Sequence, residues 1–252
     1  MNFPKKGDEI VDNTRQTKMF ISAMALAGIG AAGYAGFASH TLHIYYALAL
    51  LALSTLTSRM KVKLPGIEGN MSVNLPFLLT AVVNLSAAEA VVIAGISTMV
   101  QCWPKPESKF RPDQMLFNVS MMAFATSVAS VMWHAGWVGK SAWASESLML
   151  ASATATFFLG QTAPVAGIIK LTEGAAMRRV WMGIAQLTLP YYVLSAGMTS
   201  MVNFMSHHVG WQLALAIFPV MYGIHRSYRV YFGRAAENQR PVGLAKSASA
   251  GA

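Results

Sequence analysis

Eight apolar stretches, separated by short polar and basic segments, set out the chain: roughly 19–38, 42–57, 71–85, 87–103, 115–135, 145–163, 180–203 and 209–228. Several reach about 20 residues, the length an α-helix needs to cross a hydrocarbon core of about 30 Å. The third and fourth are shorter and predict either a tilted pair or a re-entrant hairpin that dips in from one side. The pattern therefore predicts an all-α fold, a polytopic transmembrane helical bundle of about eight spans. Residues 1–18 would form a cytoplasmic N-terminal tail, 19–228 the transmembrane domain, and 229–252 a cytoplasmic exit helix with a flexible tail.

Composition agrees with this layout. Hydrophobic residues make up 54% of the chain and charged residues 12%, against about 25% charged in a soluble domain. The polar, basic start followed by an apolar run from Met19 has the outline of a signal peptide. The run resembles its later neighbours, however, and we read it as a retained first span. A net charge of +9 raises nucleic acid as a partner, but the basic residues fall in small clusters between apolar runs, which excludes it. The single cysteine, Cys102, forms no internal disulfide and reads as a small apolar packing residue.

The distribution of Lys and Arg orients the spans. With the N-terminus inside, 18 of the 19 basic residues fall on inner segments, and only Lys140 lies outside. Positive charge on inner loops is the main determinant of orientation, so both termini are expected in the cytoplasm. Trp133, Trp137, Trp143 and Trp211 fall near outer ends, where amphipathic rings favour the interface.

Few positions carry candidate chemistry. Gly28-Ile-Gly-Ala-Ala-Gly33 matches a dinucleotide fingerprint literally but lacks the strand, the following helix and the acidic residue that the fingerprint requires. Gly28, Ala32 and Gly36 read better as a small-residue stripe for close helix contact. Ser86-Ala-Ala-Glu89 is a capping box. In a re-entrant pair Asn84 and Glu89 would sit deep in the membrane, where Glu89 would line a pocket or bind a cation. Glu146 has the same two readings. His40, His43, His134, His207 and His208 cluster at outer ends. They are interfacial in the simplest reading, and pH sensing or transition-metal or haem ligation is the alternative. No cofactor is expected. Pro76 and Pro190 would interrupt spans three and seven and kink them. No Walker loop, nucleophile elbow or paired carboxylate occurs, so the chain is expected to be non-enzymatic.

The stretch from Arg59 to Ser130 adds a family. Leu64-Pro-Gly66 in a basic strip, the entry from Ser72 to Phe77, the paired short helices of 71–103 and Phe117-Asn118 in the next span resemble the multi-pass sensor domains found upstream of bacterial GGDEF and HD-GYP domains. The exit segment His225–Arg234 is similar to the connector those proteins use. The resemblance implies a bacterial inner-membrane sensor. A sensor is expected to have a cavity bounded by segments three to five, with Glu89 or Asn118 facing inward. No GGDEF or HD motif occurs here, and Pro241 stops the exit helix. Output would therefore pass to a separate membrane or cytoplasmic protein, at an interface of Arg226, Tyr228, Arg229, Tyr231 and Phe232 that also meets lipid headgroups. The competing expectations are an accessory subunit of a larger membrane complex and a small-molecule carrier component.

Overall fold

The computed structural model describes residues 6–38, 43–63, 70–104, 110–134, 142–209, 215–223 and 225–227, with backbone alone at 6–14, 38, 61–63, 70–71, 142–145 and 206–209. Seven α-helices and one small hairpin follow in order: α1 (Lys6–Ala38), α2 (Ile44–Ser58), β1 (Lys61–Lys63), β2 (Asn70–Ser72), α3 (Leu75–Asn84), α4 (Ala87–Cys102), α5 (Pro112–His134), α6 (Ala142–Glu173) and α7 (Met177–Val209). Residues 215–223 are also helical. The protein is thus a helical bundle, and Arg15–Phe37, Pro112–His134 and Glu146–Glu173 are long and apolar enough to cross a membrane. The other apolar helices, α2, α3 and α4, have 15, 10 and 16 residues.

Several boundaries differ from the sequence reading for local reasons. The first helix begins at Lys6, so it runs unbroken through residue 18. The third apolar stretch opens as a strand: Lys61, Val62 and Lys63 pair antiparallel with Ser72, Met71 and Asn70. Pro76 therefore stands in the first turn of α3, where no backbone donor is required, and it starts a helix rather than kinking one. Pro190 does lie inside α7, as expected, and Pro164 lies inside α6.

Contacts along the helices fix their directions. Phe20, Ile21 and Met24 lie against Phe117 and Met121, and Ala35 shares a cluster with Ala123, so α1 and α5 are parallel. Gly160 faces Ala125 and Gln161 faces Met122, so α6 runs against α5. Cys102 meets Asn118, and Val91 joins the cluster of Ala123, so α4 also opposes α5. Helices α6 and α7 reverse over Gly174, which takes a left-handed φ of 69° and donates to Lys170 O at 3.0 Å. This is the glycine closure common at helix C-termini. Helices α1, α3, α5 and α7 thus point one way and α2, α4 and α6 the other. The exposed cations Arg15, Lys18, Arg59, Arg111, Lys170, Arg178 and Arg179 all fall towards one end of the bundle.

Close packing depends on glycine at two crossings. A Cβ on Gly28 would stand 2.6 Å from Ser120 O, and one on Gly160 would stand 2.9 Å from Ala125 Cβ. The small-residue stripe of α1 is real at Gly28 and Ala32, but it turns away by Gly36, which is exposed. Ala35, 1% exposed, takes the contact instead.

The core centres on α3. Its residues from Leu75 to Val83 are all buried, and Phe77, Leu78, Leu79 and Val82 join the main cluster with Leu50, Ile93, Phe157, Tyr191 and Met221. Ten residues rise only about 15 Å, so α3 is a half-length helix enclosed by its neighbours. It returns through Leu85 and Ser86 into α4, whose Ala87 packs, with Ala32 of α1, against the cluster of Ala35, Val91 and Ala123.

Candidate functional site

Two polar nodes fix the α3–α4 unit. The first is Glu89, at 8% exposure. Ser86 caps α4 by accepting from Glu89 N at 3.3 Å, and Glu89 Oε2 accepts in return from Ser86 N at 3.0 Å and Ser86 Oγ at 2.7 Å. The capping box is therefore formed. The other carboxylate oxygen accepts from His43 N at 2.7 Å. His43 is the N-cap of α2, so the carboxylate lies at the N-termini of two parallel helices. Both present free amides and the positive end of a helix dipole to it. The acid thus joins α2 to α4 and is satisfied within the protein.

The second node joins α3 to α7. Leu75 N, one of the free amides at the start of α3, donates to Tyr191 Oη at 3.1 Å. One turn on, Thr80 Oγ1 donates to Pro76 O at 2.7 Å, and Thr199 Oγ1 donates to the same carbonyl at 3.3 Å. Next to this node Ser72 Oγ donates to Asn74 Oδ1 at 2.7 Å and also lies 3.2 Å from Gln101 Oε1. That contact places the start of α3 level with the end of α4.

A further chain of contacts ties α7 to α6 and α5. Tyr192 Oη donates to Gln161 Oε1, and Gln161 Nε2 donates to Met122 Sδ. Trp181 Nε1 donates to Thr162 Oγ1 at 3.1 Å. Tyr192 packs edge-on against Phe158, with ring centroids 5.0 Å apart. The Tyr191-Tyr192 pair that follows Pro190 therefore serves two different neighbours, α3 and α6.

Among the described residues, the sequence-derived candidates are spread over several places in the fold. Asn84 Nδ2 bonds locally to Thr80 O at 3.1 Å. Asn118 Nδ2 meets Cys102 Sγ at 3.4 Å, thirteen residues of α4 away from Glu89, or about 20 Å. A cavity of about 670 Å³ lies between α2 and α4, lined by Leu48, Leu51, Ala52, Thr55, Leu56, Arg59, Ile96 and Val100. His134 Nδ1 lies 2.8 Å from Ser130 O at the end of its own helix. His43 is exposed and takes part through its backbone. His207 and His208 occupy the last turn of α7 with backbone alone described, and His40 lies outside the described residues. Among the described residues, no three His, Cys, Asp or Glu side chains come together as metal ligands. Glu146 and Arg226 are exposed. Tyr228, Arg229, Tyr231 and Phe232 lie outside the described residues.

Tyr191, Thr199, Gln161 and Trp181 were not among the sequence-derived candidates. The available signal was polar side chains inside otherwise apolar spans, above all two tyrosines directly after a proline.

No curated protein and no solved structure matches the chain. The MASE9 family model matches residues 31–230, from the last two turns of α1 to the exit segment. MASE domains are multi-pass membrane sensor domains. That description fits a helical bundle with a buried short helix, and the matched region takes in both polar nodes. The chain belongs to the MASE9 family of membrane-associated sensor domains.

Proposed function

We propose that the protein is a non-enzymatic sensor domain of a bacterial inner membrane, with both termini in the cytoplasm, and that it hands its signal to a separate partner protein. The observation that carries this reading is the hydrogen-bonded seating of α3 against α7 through Tyr191 and Thr199. Movement of the enclosed α3–α4 unit would alter two contacts on α7, the helix that leads to residues 215–227. The 252 residues contain no GGDEF or HD motif, so the output chemistry lies outside them. Exposed Arg226, with Tyr228, Arg229, Tyr231 and Phe232 after it, supplies a basic and aromatic surface suited to an acidic partner or to headgroups. Membership of a sensor family favours this reading over a structural subunit or a carrier.

The test is purification from native membranes in mild detergent, followed by identification of what accompanies the protein. A cytoplasmic or membrane protein bearing an output domain is the expected companion. It should be lost when residues after Ile224 are removed and kept when the chain is cut after Arg240. A stoichiometric transport or respiratory complex in its place would overturn the proposal in favour of an accessory subunit.

A further inference from the structure

The groove between α2 and α4 is not used by either polar node. Its walls are Leu48, Leu51, Ala52 and Leu56 from α2 and Ile96 and Val100 from α4, with Thr55 between them and Arg59 at one end. Leu48 and Leu56 are 57% and 58% exposed, so the groove opens to the outside of the bundle. Eleven residues of α2 separate Leu48 from Arg59, a length of about 17 Å. One leaflet of hydrocarbon is about 15 Å deep. The volume also falls in the range of ligand pockets, about 300–1,000 Å³.

We propose that this groove holds one anionic phospholipid, with an acyl chain along the α2–α4 seam and its phosphate on the Arg59 guanidinium. Three observations favour a lipid over a second helix. Helix interfaces within membranes are built from small residues that let backbones approach, whereas this groove is walled mainly by Leu, Ile and Val. Its only charged lining residue is a cation, and it stands at the end where the other exposed basic residues gather. Arg59 is exposed. A planar guanidinium matches a phosphate in bidentate fashion. Thr55 Oγ1 is shielded and has no hydrogen-bond partner within the described residues. The same seam carries the Glu89–His43 link at its other end, so an acyl chain would bear on the two helices that this carboxylate joins.

This inference rests on the membrane placement proposed above but not on the sensing role. Its test measures lipid binding alone, so its failure leaves the partner experiment untouched. The full chain, released from detergent micelles in a native mass spectrometer, is titrated with dioleoyl phosphatidylglycerol and, separately, dioleoyl phosphatidylcholine. The expected result is preferential retention of phosphatidylglycerol. Arg59→Gln should weaken phosphatidylglycerol about tenfold, the effect of losing a hydrogen bond to a charged group, and weaken phosphatidylcholine less, because its choline cation already offsets the phosphate charge. Ala52→Trp, at an exposed position on the groove wall, should weaken both lipids. Should that variant lose helicity, Ile96→Trp on the facing helix replaces it. Unchanged phosphatidylglycerol binding in Arg59→Gln, or unchanged binding of both lipids in the tryptophan variant, overturns the proposal. So does a wild-type dimer that Ala52→Trp converts to monomer, because the groove would then be filled by a second copy.

Discussion

Glu89 illustrates how far a single side chain can be read from sequence. Its role in the capping box follows from Ser and Glu three residues apart ahead of an apolar run, and those bonds are formed. Its second role was hidden, because the donor is the backbone amide of His43, 46 positions earlier. No side-chain pattern announces a backbone partner. Replacing Glu89 with Ala would leave the His43 and Ser86 amides without their acceptor. The expected loss is about 2–3 kcal/mol, or about 5–10 °C in thermal unfolding followed in detergent by circular dichroism. Glu89→Gln keeps one acceptor oxygen and should lose less. Equal stability of Glu89→Ala and wild type would remove the carboxylate from its proposed place as a link between α2 and α4. Gly28 shows the same limit. The stripe that contains it was legible from spacing, but only contact with Ser120 tells which of its members touches a neighbour.

The helices themselves were legible where periodic apolar sequence is long. The sequence boundaries of α5 and α6 overlap the observed ones, and the short third and fourth segments were recognised as a pair. The small hairpin was not recognised. Its signal was present in the alternation Lys61-Val62-Lys63 and in the turn formers Pro65, Gly66 and Gly69, but three-residue strands are easily absorbed into a loop. The seating of α3 on α7 had no local signature, since Leu75 and Tyr191 lie 116 positions apart. At this scale the decisive experiment is Tyr191→Phe, which deletes one oxygen and keeps the ring. It strands the Leu75 amide, with an expected cost of about 1–3 kcal/mol. Thr199→Val should cost less, about 0.6 kcal/mol, because Thr80 still reaches the Pro76 carbonyl. Hydrogen exchange should speed up across 75–84 in Tyr191→Phe while 112–134 is unchanged. Uniform protection in both segments would show that α3 does not depend on this contact.

For the whole molecule, the alternation of helix directions gathers the described Lys and Arg side chains towards one end. The sequence predicted that gathering from loop charge alone, because charge bias acts on short loops irrespective of how the spans pack. Packing itself was not legible: which helix lies beside which is set by complementary surfaces such as Gly160 on Ala125, and no periodicity encodes the neighbour. The orientation can be checked with reporter fusions. Green fluorescent protein joined after Gly174 should fluoresce, and alkaline phosphatase joined after Lys140 should be active. The reverse pattern would invert the proposed sidedness and place the exit segment outside the cell.

The half-length of α3 has a consequence for how the protein is made. At about 15 Å it is too short to span a bilayer alone, and its first amide finds a partner only in α7. During synthesis α3 and α4 must enter together, and α3 stays incompletely seated until about ninety residues beyond α4 have been added. A nascent chain that stops before α7 exposes a short apolar helix with an unanswered amide, and a finished one conceals both.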